Sequence, residues 1–256
     1  SILIAEPTYG MYAVCADVNA VNIQKVPLTT DFDLDVHSVM RACTPSTKLI
    51  FLCSPNNPTG NILDREKVMT LLETFRGVVV VDEAYIDFAN TRSFVEELEH
   101  FPNLVVMQTF SKAWGLAGLR LGICYASEYI ISLLNKIKYP YNVNIVTQQI
   151  ASEALEAYAR KDQWVESILK ERAQLKNALA ALSFVQVVYR SDANFVLVKM
   201  NNARAVYHYL MEKGIIVRDR SRVSLCDNCL RITVGTSSEN QQLIQALKTY
   251  EKSPLY

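Results

Sequence analysis

A handful of polar residues in this chain stand where chemistry could be done, each at or just past the end of an apolar run. "FLCSPNNPTG" carries Asn57, "VVVVDEAY" carries Asp82 and Tyr85, and "VVMQTFSK" carries Lys112. Asp82 follows four valines, where a carboxylate is costly to bury unless a cation or a strong donor meets it. A protonated ring nitrogen would satisfy it; a helix N-cap is the competing reading, since Asp before Glu-Ala starts a helix well. Lys112, behind two hydroxyl residues and before glycines, is either a solvated cation or a desolvated amine able to form an imine. Arg120, eight residues on, joins Thr109 and Ser111 to offer a planar cation and two hydroxyls, which suits a phosphate group. Its alternative is a surface arginine paired with a helix carboxylate. Asn57-Pro58-Thr59-Gly60 reads as a turn, and that turn either only closes a loop or holds the Asn57 amide toward a crevice. Tyr9, after Pro7-Thr8, is either a plain aromatic or a plane on which a flat ligand stacks.

These residues need elements to position them. Short apolar runs recur at Ile2–Ala5, Ile23–Leu28, Leu49–Cys53, Val78–Val81, Leu104–Met107 and Leu121–Tyr125. Several are apolar at consecutive positions, as in parallel strands covered on both faces by helices. Helical spacing appears at Asp64–Phe75 and Phe94–Glu99, with another helical start at Asp33. In open parallel α/β sheets ligands bind beyond the carboxyl ends of the strands, so three strand ends aim at one crevice. Leu121–Tyr125 follows the lysine loop after too short a connection for a helical crossover, so it is expected antiparallel to Leu104–Met107. From about 144 to 181 the pattern is almost wholly helical and amphipathic, which suits a link between two domains. Beyond it, strands are expected at Val185–Tyr189, Phe195–Lys199 and Leu230–Val234, with helices at Ala203–Lys213 and Glu239–Tyr250. The expected class is α/β: a mostly parallel, helix-flanked sheet in residues 1–160, then a smaller α+β domain in residues 161–256.

Composition narrows the function. Lys plus Arg and Asp plus Glu number 26 each, so no strong field draws the chain to nucleic acid or an anionic membrane. Its apolar runs fall far short of the ~20 residues a bilayer span requires. The six cysteines are spread along the chain, which fits reduced thiols in a cytoplasm. Cys226-Asp-Asn-Cys229 has CxxC spacing but neither a second pair nor a nearby His, so no metal is expected. The chain opens on Ser1-Ile-Leu-Ile, already in a strand and without an initiator Met, as a fragment would.

Taken in order, an amide, an acid with tyrosine three later, and a lysine with arginine eight later resemble the fold-type I pyridoxal-phosphate-dependent aminotransferases. Within them the likeness is greatest to histidinol-phosphate aminotransferases, through "PTYGMY", "SPNNPTG", "DEAYIDF", "TFSKAWGLAGLR", "GIIVRD" and "LRITVGT", from residue 1 to about 250. The resemblance implies pyridoxal 5'-phosphate held covalently by Lys112, which then shuttles the substrate proton. It implies Asp82 at the pyridinium nitrogen, Asn57 and Tyr85 at the phenolic oxygen, Tyr9 stacked on the ring, and Thr109, Ser111 and Arg120 at the phosphate. Arg231, assisted by Arg218, would take the carboxylate of glutamate or the phosphate of histidinol phosphate. The implied partners are small molecules, an amino acid or amino-alcohol phosphate and a 2-oxo acid, and a second copy of the chain in a homodimer. Members of the family carry a further upstream strand–helix unit, which would lie beside Leu121–Tyr125, and a tyrosine that reaches the partner's site. Two rivals stand beside this reading: a phosphothreonine decarboxylase of the same family, and a truncated chain without activity that serves as a binding module.

Overall fold

Strands form where apolar residues can be covered on two faces. A computed structural model of the chain describes residues 1–252. Its larger sheet contains β1 (Ile2–Glu6), β2 (Ile23–Pro27), β3 (Leu49–Cys53), β4 (Val78–Asp82), β5 (Leu104–Thr109) and β6 (Gly122–Ala126), in the order β2-β1-β3-β4-β5-β6. The first five are parallel, and β6 returns antiparallel to β5, with Val105 opposite Ala126 and Thr109 opposite Gly122. The two faces share out the consecutive apolar residues. Leu3, Ala5, Val79, Val81, Leu104 and Val106 face the main core, while Ile2, Ile4 and Cys53 meet Tyr12 and Ala16 of α1 (Met11–Val18) on the other side.

The main core is closed by α2 (Val36–Ala42) and α3 (Arg65–Thr74). Both begin on an aspartate whose carboxylate accepts free backbone N–H groups, Asp35 from Ser38 and Asp64 from Glu66 and Lys67. The helical spacing at Phe94–Glu99 resolves into a short 3-10 turn, Phe94–Glu97. After β6 come α4 (Glu128–Ile137) and α5 (Ile145–Glu156), then α6 (Tyr158–Ala180). The helical stretch is thus two helices broken at Ala157, and the expected division at residue 160 falls in the first turn of α6.

The second sheet is antiparallel, β7 (Val185–Val188), β8 (Phe195–Met200), β10 (Cys229–Thr233) and β9 (Arg218–Asp219), in the order β7-β8-β10-β9. Its core lies against α6, α7 (Ala203–Glu212) and α8 (Ser237–Glu251), through Leu175, Leu179, Val206, Leu210, Leu243 and Leu247. A reciprocal capping box of Thr236 and Glu239 starts α8. Cys226 and Cys229 are buried thiols that pack with Leu197 into the main core. Among the described residues no helix is long and apolar enough to cross a membrane.

Candidate active site

The chain order of the larger sheet reverses at β1, which lies between β2 and β3. At such a switch point the loops leaving adjacent strands run in opposite directions and open a crevice beyond their carboxyl ends. A cavity of about 900 Å³ lies there, lined by loops after β1, β3, β4 and β5 and by β9, β10 and the segment after β9. Tyr9, Asn57, Asp82, Tyr85, Thr109, Ser111, Lys112, Arg120, Arg218 and Arg231 all line it. In-register pairing brings this about, because Cys53, Asp82 and Met107 sit level across β3, β4 and β5.

Asp82 forms part of the floor. Burial pushes its proton affinity up, opposed by a hydrogen bond from Tyr12, one from the Ala84 N–H and the charge of Lys112. Tyr12 Oη donates to Oδ2 at 2.7 Å and Ala84 N donates to Oδ1 at 3.0 Å. No α-helix starts here, so the N-cap reading gives way to a tight turn leading into a 3-10 turn at Ile86–Phe88. Lys112 opens onto the cavity, and its Nζ lies 5.2 Å from the centre of the Tyr85 ring. Its pKa is lowered by desolvation first, then by the charge of Arg231, with Arg120 adding to the effect and Asp82 opposing it. No hydrogen-bond partner for Nζ is found among the described residues.

Arg120 is reached by a turn that leaves it at φ +54°, in the left-handed region a non-glycine residue enters at a cost. Its Nη1 donates to the Ala117 carbonyl at 3.0 Å, and among the described residues it has no carboxylate partner, unlike a surface arginine paired with a helix. Thr109 Oγ1 accepts from Ser111 N at 3.0 Å and leans on the Leu121 carbonyl at 3.4 Å, so this hydroxyl braces the loop.

Asn57 is buried in a turn of internal hydrogen bonds. Asn56 Nδ2 donates to the Pro7 carbonyl and to Thr59 Oγ1, both at 2.8 Å, and Thr59 donates to Asn61 Oδ1 at 2.6 Å. Gly60 adopts φ +88°, and a Cβ there would stand 2.8 Å from Ser191 Oγ, so both backbone and space require glycine. Asn57 Oδ1 accepts from Arg231 Nη1 at 2.7 Å, which turns its amide N–H₂ into the available donor. Arg231 lies 5.0 Å over the Phe195 ring, and its Nε is buried without a partner among the described residues. Tyr85 packs edge-on against the same Phe195 ring, and burial pushes its phenol up to about 12.

Sequence reasoning missed Tyr12, Asn56, Asn61 and Phe195. Tyr12 stands in a mostly apolar octad where a tyrosine looks like packing, and Phe195 is an inward strand residue like any other. Asn56 and Asn61 did carry a signal, because polar residues on both sides of a turn often hold its backbone.

The arrangement has close counterparts. The family described as aminotransferase class I and II matches residues 1–247. The chain belongs to that family. This aminotransferase is 55% identical over 250 residues to a histidinol-phosphate aminotransferase of Cytophaga hutchinsonii, a match covering 98% of this chain and 72% of the relative. The crystal structure of the histidinol-phosphate aminotransferase from Clostridium acetobutylicum shares its fold at a TM-score of 0.92 and 24% identity, over 98% of this chain and 78% of that one. The L-threonine-O-3-phosphate decarboxylase from Porphyromonas gingivalis superposes at 0.84 with 25% identity, over 98% and 77%.

Proposed function

We propose that this aminotransferase moves an amino group between histidinol phosphate and 2-oxoglutarate, using pyridoxal 5'-phosphate, in histidine biosynthesis. The observation that carries the proposal is the 55% identity, over 98% of the chain, to a curated histidinol-phosphate aminotransferase. The cavity supports it chemically. Pyridoxal phosphate presents an aldehyde, a basic ring nitrogen, a phenolic oxygen and a phosphate. The cavity presents a partly desolvated amine at Lys112, a buried acid at Asp82, a free amide donor at Asn57 beside the phenol of Tyr85, and the Ser111 hydroxyl with the Arg120 guanidinium. Tyr9, 42% exposed at the mouth, offers an aromatic plane. These residues fit the cofactor group by group.

When bound, the cofactor supplies an electron sink for the negative charge that forms on the substrate's α-carbon. Asp82 would hold the ring nitrogen in its protonated form, since a buried carboxylate is better satisfied by a cation than by anything else within reach. Lys112 would anchor the cofactor and then move the substrate proton, a task suited to an amine whose proton affinity is already lowered. Thr109 would act chiefly by bracing the loop that presents Ser111 and Lys112. Arg231 would take the substrate's carboxylate or phosphate with the donors it does not give to Asn57, and Arg218, its partner across the β9–β10 pair, would assist.

The test is a product assay with the purified chain. Histidinol phosphate and 2-oxoglutarate should yield imidazole-acetol phosphate and glutamate; release of CO2 from phosphothreonine instead would favour the decarboxylase reading. Two organisational features belong to the same proposal: a large unit at 1–160 with a small one at 161–256, and a cytoplasmic homodimer. The dimer is supported by α4, which carries Tyr129 at 71% and Ile137 at 80% exposure, followed by Tyr139 at 83% and Tyr141 at 93%. Contiguous exposed apolar side chains of this kind mark partner surfaces.

A further inference from the structure

Tyr12 stands on the inner face of α1, 6% exposed, and its Oη reaches Asp82 Oδ2 at 2.7 Å across 70 residues of sequence. Its ring is held on two sides, stacked on Phe51 at 5.0 Å and edge-on to Tyr9 at 5.6 Å. Packing alone does not call for the hydroxyl. A phenylalanine would fill the same space without a polar atom to desolvate. Burial, with the nearby Cys53 and Asp82, pushes the phenol far above its ordinary value, so Tyr12 is the donor and Asp82 the acceptor.

We propose that Tyr12 is a positioning residue that aims the Asp82 carboxylate and preserves its negative charge for a cationic aromatic nitrogen. The proposal rests on reading the cavity as a pyridoxal phosphate site. Asp82 is buried and needs donors to stay ionised, and the Ala84 N–H supplies one. A second donor that was itself a cation would cancel the acid and compete with the ring nitrogen. A phenol strengthens the carboxylate without neutralising it, because it gives a hydrogen bond and carries no charge. The other titratable groups close to Asp82 are the Cys53 thiol from β3, Tyr85 from the turn after β4 and Lys112 from the loop after β5. The thiol is neutral, since burial pushes its pKa up. Lys112 is engaged elsewhere once the cofactor is anchored. Tyr12 then remains the one side-chain donor to Asp82 among the described residues.

The experiment compares wild type with Tyr12→Phe, a change that removes one oxygen and leaves the stacking on Phe51. The full chain is titrated with pyridoxal phosphate and with an analogue that carries carbon in place of the ring nitrogen. Loss of one charge-assisted hydrogen bond should weaken binding of pyridoxal phosphate about tenfold and leave the analogue unchanged. Equal weakening of both, or of neither, would overturn the proposal, because a structural role does not distinguish nitrogen from carbon. A second arm needs no cofactor: the infrared carboxyl band of Asp82, isolated by subtracting Asp82→Asn, is titrated in both proteins. Tyr12→Phe should raise the pH at which Asp82 ionises, and an unmoved midpoint sinks the idea. If wild type fails to bind pyridoxal phosphate, the cofactor reading falls, while the infrared arm still decides whether Tyr12 governs Asp82.

Discussion

An amine that acts as a base near neutral pH needs its proton affinity lowered, and Lys112, though open to the cavity, has two influences in that direction: partial desolvation and the charge of Arg231. Borohydride reduction of the loaded protein should leave the cofactor's mass on the peptide containing Lys112, and Lys112→Ala should lose several orders of magnitude in turnover. In the cofactor-free protein, Arg231→Met removes a neighbouring positive charge, so the pKa of Lys112 should rise. The rate of reductive methylation at Lys112 against pH should therefore shift to higher pH, and an unchanged profile would show that Arg231 does not act on the amine. Asp82 has the opposite sign. Burial is the largest influence on it and favours the protonated form, so ionised Asp82 costs folding stability once pH passes the ordinary carboxylate range, and the cost grows until pH passes its own folded value. Cofactor-free Asp82→Asn should thus melt above wild type at neutral pH and lose that advantage in acid, while its turnover falls by about 100-fold or more. The polar residues of the site were legible because acids, amides and lysines are conspicuous beside apolar runs. Tyr12 and Phe195 were not, because the same residue types fill cores everywhere and only a fold can bring a tyrosine and an aspartate 70 positions apart to 2.7 Å.

At the level of elements, strands declared themselves wherever both faces are buried. Val78–Val81 and Leu104–Met107 lack alternation because Val79 and Val80, or Leu104 and Val105, point into different but equally dry spaces. The antiparallel return of β6 followed from loop length alone, and the structure shows it. Helix α1 escaped notice because "MYAVCADV" has no side-chain cap and reads nearly as well as a strand. Strand β9 is two residues long and exists only through its pairing with β10. Gly60 is the element-scale position to perturb. Alanine at φ +88° and 2.8 Å from Ser191 Oγ should cost about 2 kcal/mol from the backbone alone. Denaturant melts should show that loss, and cofactor titration should show weaker binding because the turn that carries Asn57 shifts. Wild-type stability in Gly60→Ala would mean that the turn yields freely.

For the molecule as a whole, the exposed apolar row on α4 and the loop beyond it calls for a second surface. Sedimentation should find concentration-dependent species above the 28.9 kDa of one chain. Tyr129→Glu with Ile137→Glu should weaken that association by about tenfold or more, as truncating central aromatic and aliphatic anchors does. A strictly monomeric wild type would remove the homodimer from the proposal. That surface was not legible in the sequence. The stretch from 128 to 146 is apolar enough to pass for core, and only the structure shows that α4 has no buried residue.

Besides the packing of Leu197 and Phe195, hydrogen bonds at one turn join the two sheets. Asp192 N donates to the Gly60 carbonyl at 2.6 Å, Ile62 N donates to Asp192 Oδ2 at 3.1 Å, and Arg231 Nη1 holds Asn57 at 2.7 Å. The turn is therefore lashed to the smaller sheet as a tiller is to a rudder: swing one and the Asn57 amide swings with it. An anion held by Arg231, as proposed above, would therefore sit one hydrogen bond away from the Asn57 amide, and the two ends of the cavity would share a single tether.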